Sequence, residues 1–278
     1  YLEKVGIEEF LAHPIGSGPF KLVSYQRNSR ISLEAFDNYW GGKPKIDKLT
    51  VQITPSPTSR VSALQSGQVD LAYALPIRDA QRMDKMPDLT SALTSTIDTY
   101  MIHMINKGPL KDINVRLAMH YAINKNAISK ALLAGLSKPI STACPETTPC
   151  YQDDVNFNYD PQKAIELLKK SGYSSKKPVK FKFFATKGVS PGDNLMARAI
   201  VQMWKKVGID ASFETIDFGK FFQSLATNTL QGPVLWMWNN STGDPELYAG
   251  TYLNANTKFS VWRSDEVMQR LTPLMTEN

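Results

Sequence analysis

The sequence is short of the residues from which most catalytic and metal centres are built. Of 278 residues, three are histidine and two are cysteine. His13, His103 and His120 stand far apart, none with a second ligand at metal-like spacing, and no Cys or His cluster lies near the cysteines to complete a four-ligand zinc set. There is no phosphate-binding loop, no His-Glu-x-x-His, no Gly-x-Ser-x-Gly and no Cys-x-x-Cys. Gly16-Ser-Gly18 begins like a dinucleotide loop, but Lys21 stands where the third glycine belongs and a strand pattern follows instead of a helix. These absences lower an enzyme reading without excluding it, and no catalytic residue, metal or cofactor is expected. No apolar stretch approaches the roughly 18 residues of a membrane-spanning helix, since the richest run, Pro233 to Trp238, is broken by Asn239 and Asn240.

What is present is the composition of a folded globular chain: 42% hydrophobic and 21% charged residues, with 16 glycines and 17 prolines. The excess of basic residues gives a formal charge of +6, yet Arg27 and Arg30 are followed by Glu34 and Asp37, and Lys43, Lys45 and Lys48 surround Asp47. That interleaving predicts a solvated mixed surface, not a nucleic-acid-binding stripe. The chain opens at Tyr1 without a basic, apolar and small-residue leader, the reading expected of a processed chain, a trimmed one or a piece of a longer one. Cys144 and Cys150 share a Pro-punctuated loop short enough for a disulfide, which points to an oxidising compartment.

Periodicity sets the organisation. Leu2 to Ala12 has helical spacing and stops at His13-Pro14. Phe20 to Tyr25 and Ile31 to Phe36 read as a hairpin, and Lys48 to Thr54 alternates as a half-buried strand. Thr58 to Ser66 reads as a helix ending at Gly67, and Val69 to Tyr73 as a further strand. Ile97 to Asn106 is evenly apolar, as in a strand buried on both faces. Lys107-Gly-Pro109 then breaks the chain, and the division expected is at residues 1–107 and 108–278. Beyond it come a helix pair from Asn114 to Leu133 and helices at Asp160 to Ser171, Asp193 to Val207 and Lys220 to Thr227. Strands are expected at Val179 to Ala185, Ala211 to Ile216 and Val234 to Trp238. Alternation of helices and strands predicts a mixed α/β (α+β) layer fold.

Two places carry candidate binding chemistry. Trp236 and Trp238 share a face of their strand just before the polar corner Asn239 to Pro245, the mixture of flat apolar walls and few polar anchors seen in small-molecule clefts. On the 97–106 strand, His103 shares a face with Met101 and Ile105, while Tyr100 takes the other.

The order of segments is itself a signal. His13-Pro-Ile-Gly-Ser-Gly-Pro-Phe20, Asn38-Tyr-Trp-Gly-Gly-Lys-Pro44, Leu64-Gln-Ser-Gly-Gln-Val-Asp70, Asn114-Val-Arg-Leu-Ala-Met-His-Tyr-Ala-Ile-Asn124, Tyr159-Asp-Pro161 and Trp238 through Asp244-Pro245 together resemble the solute-binding proteins of peptide and nickel ABC importers, family 5. The resemblance implies a two-lobed, type II periplasmic-binding-protein-like fold, incomplete at both ends. Residues 1–107 would be the central part of the first lobe and 108–278 most of the second. It also implies a monomeric, bacterial, periplasmic protein (or an extracellular, membrane-anchored one) that captures a peptide or peptide-like small molecule between its lobes. The closed form is passed to a membrane permease, and nucleic acid has no part.

In peptide-binding relatives an Asp shortly after the strand tryptophan pairs with the ligand α-amine; the matching place here is Ser241, while Asp244 matches the Asp-Pro turn. A neutral Trp-Asn-Asn-Ser-Thr corner suits an amide, sugar or glutathione-like ligand better than a bare ammonium group. The contacts expected on this basis are Trp238, Asn239 and Ser241, with Tyr100 and His103 reaching in from the neighbouring strand. A sensory or receptor-docking protein, or an enzyme, on the same scaffold is the alternative.

Overall fold

The computed structural model describes the chain except for residues 95, 149, 150, 188, 191, 240, 241, 243, 277 and 278. The chain divides into two compact units, Tyr1–Ala72 and Tyr73–Asn278.

In the first unit, helix α1 (Leu2–Ala12) leads to three strands, β1 (Phe20–Gln26), β2 (Arg30–Ala35) and β3 (Lys48–Gln52), which pair antiparallel in the order β1-β2-β3. Asn28, at φ 59°, turns the hairpin, a conformation asparagine tolerates better than most residues. Helix α2 (Pro57–Gln65) starts where Ser56 accepts from the Ser59 N–H and Pro57 supplies a pre-set φ. Among the described residues of this unit only Val61 and Ala63 are buried. α1 buries nothing, and Leu11, Phe20, Leu22, Tyr25, Ile31 and Leu33 line an open apolar groove.

The strand expected at Val69 to Tyr73 does not form: the segment is irregular, with Leu71 and Tyr73 about four-fifths exposed. Apolar composition suggests a strand, but a strand also needs a neighbour for its backbone N–H and C=O groups, and this segment has none among the described residues.

The second unit carries α3 (Ile77–Met83) and β4 (Thr99–His103). The pair α4 (Ile113–Tyr121) and α5 (Lys125–Leu132) follows, then α6 (Pro161–Lys170), β5 (Val179–Thr186), α7 (Asp193–Lys205), β6 (Ile209–Ile216), α8 (Phe218–Ala226) and β7 (Val234–Trp238). The sheet order is β4-β7-β5-β6; β5 runs parallel to β6 and β7, and β4 is antiparallel to β7. The strand expected to lead out of the first lobe is thus an edge strand of this sheet.

Side-chain caps mark the helix starts: Asp112, Asn124, Asp160 and Asp217 each accept a backbone N–H from the first turn. The core lies between sheet and helices. Trp204 of α7, fully buried, sits 4.9 Å from the Phe183 ring and donates from its indole to the Met119 carbonyl at 3.1 Å, tying α7 to α4. Cys144 is disulfide-bonded; Cys150 lies outside the described residues. Among the described residues no helix is long and apolar enough to cross a membrane.

Candidate ligand site at the carboxyl edge of the sheet

β7 is the middle of the site because its composition leaves it no other place. Val234, Leu235, Trp236 and Trp238 are all at least nine-tenths buried, as expected of an apolar run with strands on both sides. The β4–β7 register sets Thr99 opposite Trp238, Met101 opposite Trp236 and His103 opposite Val234. Alternation along a strand therefore puts Trp236, Trp238 and His103 on one face, and Tyr100, opposite Met237, on the other.

The His103 face is an aromatic core. The imidazole has no exposed surface, its Nε2 accepts the Trp236 indole N–H, and the rings of Trp236, Tyr252, Tyr248 and Phe221 surround it at 5.3, 5.3, 5.6 and 6.5 Å. Accepting at Nε2 places the proton on Nδ1. Burial drives the pKa down to about 3, so His103 is neutral at any physiological pH. It belongs to the packed interior and does not reach a surface here.

Tyr248 and Tyr252 come from the segment after β7, where α9 (Pro245–Tyr248) widens into a π-helical turn, Ala249–Leu253. Such turns are rare and occur often at functional sites. Trp238 packs against both tyrosines, at 5.7 and 4.9 Å. Its indole N–H is buried without a hydrogen-bond partner among the described residues, a donor left for a ligand or a water. Burial raises the Tyr248 hydroxyl to about 12, so it is a neutral donor and acceptor.

The other face leads to the polar rim. Asn239, exposed just past β7, donates from its side-chain amide to Asp98, which lies just before β4. Near enough to Tyr100 to act on it electrostatically is Asp193, the first residue of α7 and 3% exposed. Its carboxylate accepts from the Asn194 backbone N–H at 2.7 Å, the Asn194 amide at 2.9 Å and the Thr186 hydroxyl at 3.2 Å. Charge-assisted hydrogen bonds and the positive end of α7 make that buried charge tolerable. Tyr100 is held far above the usual phenol range by burial first, and then by the negative charges of Asp193 and Asp98.

Trp238 on one face and Tyr100 on the other, with Asn239 just beyond, therefore lie at one end of the sheet, the carboxyl ends of β5 and β7, where open α/β sheets generally place their ligands. His103 lies inside, and Ser241 lies outside the described residues. Asp98, Asp193, Tyr248 and Tyr252 were not singled out from sequence. Asp193 was visible as a helix start, and the tyrosines as an i, i+4 pair after an Asp-Pro turn. Among the described residues no group of three or more His, Cys, Asp or Glu side chains is arranged to hold a metal ion.

Residues 2–260 match the family model for bacterial extracellular solute-binding proteins, family 5 (middle region). The chain belongs to that family. The dipeptide-binding protein of Escherichia coli (strain K12) is 34% identical over 271 residues, covering 93% of this chain and 50% of the relative. Among solved structures, NikA from Staphylococcus aureus, bound to a nickel–histidine complex, superposes with TM-score 0.84 at 22% identity, covering 96% of this chain and 57% of that one. The periplasmic binding protein DppA of Helicobacter pylori, holding the peptide STSA, gives TM-score 0.83 at 23% identity, over 98% and 54%. Family 5 thus supplies the fold of this chain, and its members are binding proteins. The chain spans about half the length of the curated relatives it matches.

Proposed function

We propose that the chain is part of an extracytoplasmic solute-binding protein of an ABC importer, which captures a peptide or peptide-like small molecule and delivers it to a membrane permease without covalent chemistry. The observation that carries this reading is the carboxyl edge of the second unit's sheet, where an aromatic wall with a free indole N–H stands beside the hydrogen-bonded Asp98–Asn239 pair. In this reading residues 1–107 contribute to a first lobe, 108–278 form most of a second, and β4 is one of the segments that join them. Trp238, Asn239, Ser241 and Tyr100 touch the ligand, and His103 supports Trp236 from behind. Ligand binding works by population shift, favouring a closed arrangement that the permease recognises. The protein acts as a monomer in the periplasm or, tethered, outside a Gram-positive cell.

Because the residue that matches the relatives' amine-binding Asp is Ser241, a ligand whose recognition rests on hydrogen-bonding amides fits better than one presenting only an ammonium group. The test is a thermal-shift screen of the full-length protein beside this chain, against di- and tripeptides, glutathione, oligosaccharides and nickel–histidine complexes. A ligand at about 100 times its dissociation constant stabilises the native state by about 2.7 kcal/mol. Stabilisation by a peptide or glutathione, abolished by Trp238→Ala, supports the proposal. No response to any compound, or turnover of one, removes it.

A further inference from the structure

The opposite edge of the same sheet has a chemistry of its own. Val179 and Ile209, the first residues of β5 and β6, are register partners, and the Val179 N–H donates to the Gly208 carbonyl at 3.1 Å. The turns before these strands are therefore side by side. Gly208, at φ 98°, lets the backbones touch: a Cβ there would stand 3.4 Å from the Ser174 carbonyl carbon. This juxtaposition brings together lysines from three places in the sequence: Lys169 and Lys170 at the end of α6, Lys176 and Lys177 in the turn before β5, and Lys205 and Lys206 at the end of α7.

All six are exposed, and none pairs with a carboxylate among the described residues. Of the acids close by in sequence, Asp210 faces Lys180 at 3.8 Å, and Glu166 stands one helical turn before Lys169 and Lys170 on α6. The carbonyl ends of α6 and α7 account for lysines in a last helical turn, but not for Lys176 and Lys177, which belong to no helix. Six of the chain's 32 basic residues are thus gathered from three separate segments at one end of the sheet.

We infer that this lysine edge docks on an anionic phospholipid surface. Lysines are mobile point charges without the planar fork that reads one carboxylate or phosphate bidentately, so a row of them on turns suits a diffuse layer of headgroups rather than a single anion. Four to eight basic residues in a cluster is the size at which anionic membranes hold a protein. The extracellular character of the family puts the outward-facing leaflet of the cytoplasmic membrane within reach as a polyanion. An eight-residue strand, about 25 Å long, separates this edge from the carboxyl edge that carries Trp238 and Asn239. Docking and ligand capture thus use opposite ends of one sheet, and the inference is independent of which solute is bound.

The test is sedimentation of the 278-residue chain with vesicles of phosphatidylglycerol mixed with phosphatidylcholine. Binding should appear at low salt, fade as salt shortens the screening length, and be absent with phosphatidylcholine alone. Lys176→Gln/Lys177→Gln/Lys206→Gln should weaken it on the order of a hundredfold. Lys4→Gln/Lys45→Gln/Lys48→Gln, which removes the same charge from the first unit, should leave it within a few-fold. Equal loss in both triple variants, equal binding to neutral vesicles, or tighter binding to polyglutamate than to the anionic vesicles would overturn the inference.

Discussion

The side-chain amide of Asn239 donates to the carboxylate of Asp98, a contact between residues 141 positions apart that fastens the end of β7 to the start of β4. Because the pair sits at the rim and its loss uncovers no core, Asn239→Ala should change unfolding free energy by no more than about 0.5 kcal/mol. The same variant should weaken, at least about tenfold, whichever compound stabilises the full-length protein. Calorimetric titration beside urea unfolding separates the two effects. An unaltered affinity would show that the pair is only a strand clasp.

His103 gives the protein a pH dependence with a definite sign. Its folded pKa, about 3, lies below the roughly 6.5 of an exposed histidine. The unfolded chain therefore takes up a proton that the folded chain refuses. Stability from this site is complete above about pH 6.5 and is lost as pH falls toward 3, with a slope approaching about 1.4 kcal/mol per pH unit. His120, held down at about 4 by burial and then by Lys125, adds in the same direction. His103→Gln keeps an acceptor for Trp236 and should flatten the curve between pH 6.5 and 4.5 when urea unfolding is followed across that range.

Gly232 lies directly against the backbone of Lys182. A Cβ at this position would lie 1.9 Å from the Lys182 carbonyl oxygen and 2.7 Å from its carbon, distances that only a backbone shift relieves. Gly232→Ala should therefore push β7 away from β5 and cost more than about 2 kcal/mol. Loss of near-ultraviolet circular dichroism from Trp236 and Trp238 at lower urea would report it.

Trp204 fills the space between α7 and the sheet and satisfies the Met119 carbonyl. Trp204→Phe should cost about 1–3 kcal/mol and Trp204→Ala about 3–5. Chemical denaturation of the two variants checks the ordering as well as the size.

Breaking the disulfide of Cys144 opens a short ring. Cys144→Ser or reduction should lower stability by about 2 kcal/mol, and a melting temperature unmoved by reductant would show that the bridge constrains nothing in the unfolded chain.

Much of this fold was legible because its signals are local. The cap at Asp160, the apolar run Val234 to Trp238 and the Asn114 to Leu133 helix pair all announce themselves within a few residues. Val69 to Tyr73 misled because an apolar run reports a wish for burial and says nothing about whether a partner strand exists. The site divides in the same way. Trp238 and Asn239 stood out by adjacency, whereas Asp98 meets Asn239 only through the β4–β7 register. The sequence put His103 and Tyr100 on opposite faces correctly, but not that the His103 face would be closed by Tyr248 and Tyr252 from a π turn. The lysine edge was hidden most completely, since its members come from three separate segments and each looks ordinary in its own.

The strand order β4-β7-β5-β6 also sets a timetable. Among the described strands of this sheet β4 is synthesised first and its ladder partner β7 last, so through about 130 residues of elongation β4 lacks the strand it pairs with. Long-range pairing of this kind is slow and leaves intermediates prone to aggregation. A ribosome or an export channel releasing this chain from its amino end thus delivers an unfinished sheet until Trp238 emerges, and a holding chaperone would find its target between Thr99 and His103.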